Sequence, residues 1–154
     1  PGYVLGERIP GISKLEDVND EFWNSRYQRI IDFENHIHEA GTRIVKFFLN
    51  VSKDEQKNRF MDRLNTPEKH WKFSPGDLKE RRYWDKYRKA FEDMINNTNS
   101  EIAPWYVIPA DNKWFSRIAI GSIIHDTMKA MDLRYPKAED PEVLEEARKE
   151  LMNE

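Results

Sequence analysis

The chain has 154 residues, 38% of them hydrophobic and 34% charged, with a net charge of −3 and no cysteine. That length supports one domain with a core, and the composition excludes disulfides, a thiolate nucleophile and a cysteine-ligated zinc site. No apolar run approaches the ~20 residues of a membrane span and no charged segment leads into a signal-like apolar stretch, so a cytoplasmic protein with no membrane partner is the expectation.

Pro1 to Ile12 carry three glycines and two prolines around Tyr3-Val4-Leu5 and read as a strand end or loop. Ser13 and Glu16 fit a capping box, which opens a long helix to about Ala40. Leu15, Val18, Phe22, Tyr27, Ile30, Phe33 and Ile37 lie near helical spacing along it, and Gly41 is its stop. Thr42 to Val51 is the clearest strand. Its run Ile44, Val45, Phe47, Phe48 and Leu49 predicts cover on both faces. Lys46 inside it needs a partner or a route to solvent; a buried ion pair is favoured over a site-facing lysine.

Ser52 with Glu55 predicts a second capping box and a helix to about Leu64. The loop Pro67 to Phe73 then crowds Lys69, His70, Trp71 and Lys72 together. Ser74 and Pro75 suit the N-cap and first position of a helix predicted to run to Asn96. Trp84, Tyr87, Phe91, Met94 and Ile95 form its packing stripe, and Lys79, Arg82, Lys86 and Lys89 the opposite, basic one. A solvated basic face and a ligand-facing one are about equally expected. From Lys69 to Lys89 the chain holds eight Lys/Arg (69, 72, 79, 81, 82, 86, 88, 89) against three acids (77, 80, 85). A local basic centre in an acidic chain suits a small anionic ligand better than a long polyanion.

After a polar turn at 96–103, Pro104 to Pro109 predicts a short second strand. Asp111 or Asn112 caps a helix through Met131 that is apolar nearly all round, predicting burial against a sheet. Residues 136–154 are a charged helix or tail, with an acidic stretch from Glu139 expected to be solvated. The four histidines (36, 38, 70, 125) show no metal spacing, and no metal ligand is predicted. The order of elements is that of an α/β fold with an open parallel sheet, helix-rich in this chain, although two strands are few for such a sheet.

The run Lys69-His70-Trp71-Lys72-Phe73-Ser74-Pro75-Gly76-Asp77-Leu78, with Glu80-Arg81 and Trp84-Asp85-Lys86-Tyr87, resembles the lid of the polyphosphate kinase 2 family. Arg26-Tyr27 with Asp32-Phe33-Glu34, Lys46-Phe47-Phe48-Leu49 with Ser52, and Ala103 to Asp111 with Lys113-Trp114 extend the resemblance from about Tyr3 to Leu133. It implies a partial P-loop kinase fold and magnesium-dependent phosphoryl transfer between inorganic polyphosphate and a nucleotide (AMP, ADP, ATP or guanine equivalents). The wording of the 103–111 motif resembles the branch acting on nucleoside mono- and diphosphates. No Gly-x-x-x-x-Gly-Lys loop occurs, nor does the family's aspartate-arginine pair at the end of its Walker B strand. Residues 1–135 are thus expected to be the C-terminal part of such a domain, with its lid at about 65–97, inactive alone and with most magnesium ligands outside the chain.

Phosphoryl transfer needs charge neutralised on phosphate oxygens, which Lys69, Lys72, Arg81 and Arg82 on a closing lid would supply. The resemblance adds Arg8 as a phosphate contact. Asp111 and Lys113 follow the last strand, where α/β sheets bind ligands, and are candidates for the nucleotide; an N-cap role for Asp111 is equally expected. Trp71 either packs on the nucleotide or, the favoured reading, anchors the loop to the core. The alternative function is a non-catalytic module gripping polyphosphate or single-stranded nucleic acid, although nothing here resembles a nucleic-acid motif. Exposed strand edges predict a homo-oligomer.

Overall fold

A computed structural model describes residue 12 and residues 14–153. The capping role expected of Ser13 and the strand end at 1–11 lie outside the described residues. A 3-10 turn occupies Leu15–Asp17, and helix α1 (Asp20–Glu39) starts later than the periodicity predicts. Its N-cap is Asn19, whose Oδ1 accepts from the Phe22 N–H at 3.0 Å. Gly41 ends it in the left-handed region at φ 90°, a conformation that costs glycine little.

Strand β1 (Lys46–Asn50) is half the predicted length. The Ser52 cap forms as expected, its Oγ accepting from the Glu55 N–H at 3.1 Å, and helix α2 (Lys53–Leu64) follows. The loop after it is a 3-10 turn, Pro67–Lys72, packed on α2. Phe73 meets the Phe60 ring edge-on at 6.3 Å, and the His70 ring bonds to the Leu64 carbonyl at 2.9 Å. Trp71 is 79% exposed and anchors nothing; the Lys72 ammonium sits over its ring at 4.9 Å.

The single long helix predicted from Pro75 is broken in two. Helix α3 (Pro75–Arg81), capped by Ser74, ends where the N–H groups of Arg82 and Tyr83 turn to carbonyls three residues back. Helix α4 (Trp84–Thr98) begins beyond the break. Lys79 and Arg82 lie before or at the break, and Lys86 and Lys89 beyond it. The Tyr87 hydroxyl spans the break by donating to Glu80 Oε2 at 2.5 Å, and that carboxylate raises the phenol's pKa.

Strand β2 (Trp105–Pro109) pairs with β1 in parallel, Lys46 opposite Trp105 and Asn50 opposite Pro109. Parallel neighbours need a crossover, and α2, the turn, α3 and α4 supply it. Helix α4 covers β1 through Phe91 against Phe48, ring centroids 5.0 Å apart, and packs on α1. Ala103, Ile108 and Ala110 are buried beside the strands.

Cover on both faces of β1 is not realised among the described residues, where Leu49 is 53% exposed. Helix α5 (Lys113–Ala130) likewise keeps Trp114 and Ile118 mostly exposed, since a two-stranded ribbon offers too little area to bury it. The chain divides into two compact units, with the boundary inside α5 between Ile124 and His125. The second unit contains helix α6 (Pro141–Met152), capped by Asp140. No helix among the described residues is long and apolar enough to cross a membrane.

Candidate phosphate site at the strand ends

The C-terminal ends of β1 and β2 lie side by side, and a helix starts just beyond each. In open α/β sheets ligands bind at this edge. Asp111 ties the two loops together, its Oδ1 accepting from the Ser52 N–H at 2.7 Å. Those Ser52 bonds hold the carboxylate below its ordinary pKa, with a smaller contribution from the Arg59 charge. Arg59 reaches from α2 to the Ala110 carbonyl at 2.7 Å and to Glu55 at 2.8 Å. The cap of α5 is Asn112, whose Oδ1 accepts from the Trp114 N–H at 3.3 Å, so the expected cap role of Asp111 is not the one it plays.

Two open cavities meet at this edge. The first, about 430 Å³, lies between β1, α2, α3 and α4 and is walled by Phe48, Gln56, Phe60, Arg81, Trp84 and Arg88. The second, about 460 Å³, opens over both strand ends, beside Ser52, Lys53, Asp111 and Asn112. Asn50, Val51, Trp84 and Arg88 line both. Arg81 stands over the Trp84 ring at 5.7 Å and donates to Gln56 Oε1 at 2.7 Å. Arg88, one turn beyond Trp84, donates to Asn50 Oδ1 at 2.6 Å. Asp77 and Glu80 also border the first cavity, Glu80 being engaged with Tyr87. Guanidinium groups beside an apolar wall and two helix starts can receive phosphate oxygens, because their donors are paired and permanently charged.

Of the residues singled out in the sequence, Arg81 lines the first cavity and Asp111 the second. Lys69, Lys72 and Trp71 sit in the exposed turn, Arg82 at the break and Lys113 at the first position of α5, and none of them lines either cavity. Arg8 lies outside the described residues. Sequence reasoning missed Arg88, Asn50, Gln56 and Lys53. Arg88 and Asn50 are thirty-eight positions apart, so no local pattern announces their contact. Among the described residues no three His, Asp or Glu side chains converge to hold a metal ion.

The family model described as "Polyphosphate kinase 2 (PPK2)" matches residues 4–136. The chain is 51% identical over 134 residues to the "Uncharacterized protein in chlN 3'region" of Leptolyngbya boryana, covering 86% of this chain and 98% of that protein. It is 45% identical to the AMP/ADP-polyphosphate phosphotransferase of Meiothermus ruber, across 79% of this chain and 46% of the relative. The crystal structure of polyphosphate kinase 2 from Arthrobacter aurescens TC1 superposes with a TM-score of 0.78 at 47% identity, covering 83% of this chain and 46% of that one. The chain thus spans about half the length of the phosphotransferase and kinase it matches.

Proposed function

The chain belongs to the polyphosphate kinase 2 family, and from that premise we propose that it provides the lid and one wall of the phosphate site in a polyphosphate-dependent nucleotide kinase. The reaction moves a phosphoryl group between inorganic polyphosphate and nucleoside mono- or diphosphates. The observation that carries this reading is Arg81, aimed from the lid into the cavity at the end of β1 and held there by Gln56. Such transfers demand little covalent chemistry from the protein, and fixed cations around the phosphates supply most of what is needed.

In this reading Arg81 contacts phosphate in the open lid, while Arg8, Lys69, Lys72 and Arg82 do so when the lid closes. Trp71 and Lys113 take the nucleotide, and Asp111 shapes its loop by holding Ser52. Magnesium accompanies the phosphates, as suits an ion that keeps few protein ligands. The enzyme is a cytoplasmic homo-oligomer. Because the sequence contains no Gly-x-x-x-x-Gly-Lys cradle, the chain alone binds but does not catalyse.

Mixing the purified chain with polyphosphate, ADP or AMP, and magnesium tests this. Calorimetry should detect both ligands while a luciferase assay detects no ATP. ATP formation would refute the inactivity. Failure to bind either ligand, or tighter binding of a single-stranded oligonucleotide than of polyphosphate, would refute the assignment.

A further inference from the structure

Among the described residues, several cations are matched by a carboxylate: Lys46 by Glu34, Arg59 by Glu55 and Lys89 by Asp93. Arg81 and Arg88 are different. Each is held by the side-chain oxygen of a neutral amide, Gln56 for one and Asn50 for the other, and neither forms an ion pair among the described residues. An amide oxygen fixes the direction of a guanidinium without cancelling its charge. Glu92, four residues beyond Arg88, borders a third cavity with it yet makes no ion pair with it. The Asn50 contact is the one hydrogen bond of the Arg88 guanidinium among the described residues, of the five N–H donors the group carries. Arg88 also lines both cavities at the strand ends, on the same face of α4 as Trp84.

We propose that Arg88 is a substrate-contacting residue of this site, kept charged and aimed by Asn50, and that it takes a phosphate oxygen of the polyphosphate chain or of the nucleotide. The inference rests on the phosphate reading above and deepens it. Arg81 covers the cavity on the α3 side, and Arg88 covers the junction where the two cavities meet. Between them the Trp84 indole removes water from one flank, which strengthens both charges toward an anion. Asn50 acts through Arg88 and is a positioning residue.

The decisive variant is Asn50→Asp. It keeps the shape and the acceptor, so a purely structural brace would hold or tighten, but it cancels the guanidinium charge. Polyphosphate and ADP are titrated separately, by calorimetry, into the full chain and into Asn50→Asp, Arg88→Gln, Arg88→Lys and the control Arg43→Gln, which precedes β1 and lines none of the cavities. Thermal midpoints are recorded for each. The expected result is that Asn50→Asp and Arg88→Gln weaken one ligand about tenfold or more. Arg88→Lys should recover part of that loss, Arg43→Gln should bind as the unsubstituted chain does, and the midpoint of Asn50→Asp should not fall. The ligand that weakens identifies the phosphate source. If the unsubstituted chain binds and both variants match it, Arg88 is only a brace and this inference fails while the family reading stands. If the unsubstituted chain binds neither ligand, the phosphate reading fails with it.

Discussion

The Lys46 ammonium, on the first residue of β1, lies 2.8 and 2.7 Å from the two carboxylate oxygens of Glu34 on α1, and 2.6 Å from the carbonyl of Thr98. Both side chains are nearly out of solvent, and the Trp105 ring lies 5.2 Å from the ammonium. This cluster joins α1, α4 and both strands at their N-terminal ends, opposite the cavities. The favoured sequence reading of Lys46 as a buried ion pair is what the structure shows.

Truncating one member strands the other's charge in the interior. Lys46→Met should therefore cost about 3–5 kcal/mol in urea denaturation. The double replacement Lys46→Met with Glu34→Leu should cost clearly less, because no lone charge remains. A double variant as unstable as the single one would show that the pair is not what holds these elements.

Thr98 is only 1% exposed, and its Oγ1 accepts from the Trp105 indole N–H at 2.9 Å while donating to the Met94 carbonyl at 2.6 Å. Thr98→Val keeps the volume and removes both bonds. A loss of about 1–3 kcal/mol is expected, as for an orphaned buried donor. An unchanged denaturation midpoint would mean that the indole finds another acceptor.

The turn before α3 is fastened by Phe73 and His70, not by Trp71. Phe73→Ala should lower stability by about 2 kcal/mol, less than a fully buried phenylalanine because Phe73 is half-buried. Trp71→Ala should stay within about 0.5 kcal/mol, as at other exposed positions. The reverse order in thermal melts would restore Trp71 as the anchor.

Asp111 supplies a pH dependence with a definite sign. Its carboxyl is held below the ordinary range of about 3.9 by the Ser52 bonds, so its contribution is complete above the unfolded pKa and is lost as pH falls through the lower folded value. NMR titration should show Asp111 protonating below the ordinary aspartate range as acid is added. The Ser52 amide should lose its hydrogen-bonded shift in that same interval. Asp111→Asn should make the Ser52 amide shift nearly independent of pH there. A Ser52 shift that moves at ordinary carboxylate pH would contradict the contact.

The local signals in the sequence carried far. Ser52 and Ser74 cap helices because their hydroxyls can accept from N–H groups two or three residues on, and Gly41 stops α1 because it can take a positive φ. The motifs running from Lys69 to Tyr87 and around Trp105 were enough to indicate the family. Three things were not legible locally. The break at Arg82–Tyr83 lies in a segment whose helical periodicity continues straight through it. The exposure of Leu49, Trp114 and Ile118 depends on how much sheet stands beside them, which no single strand reports. The site was divided in the same way. Charge density marked out Arg81, Lys69 and Lys72 alike, but the amides of Gln56 and Asn50, twenty-five and thirty-eight positions from their partners, set the aim of Arg81 and Arg88. Composition and spacing determine which segments become helix or strand because those forces act within a turn or two of chain. Which charges are left open to a ligand is settled only when distant side chains meet.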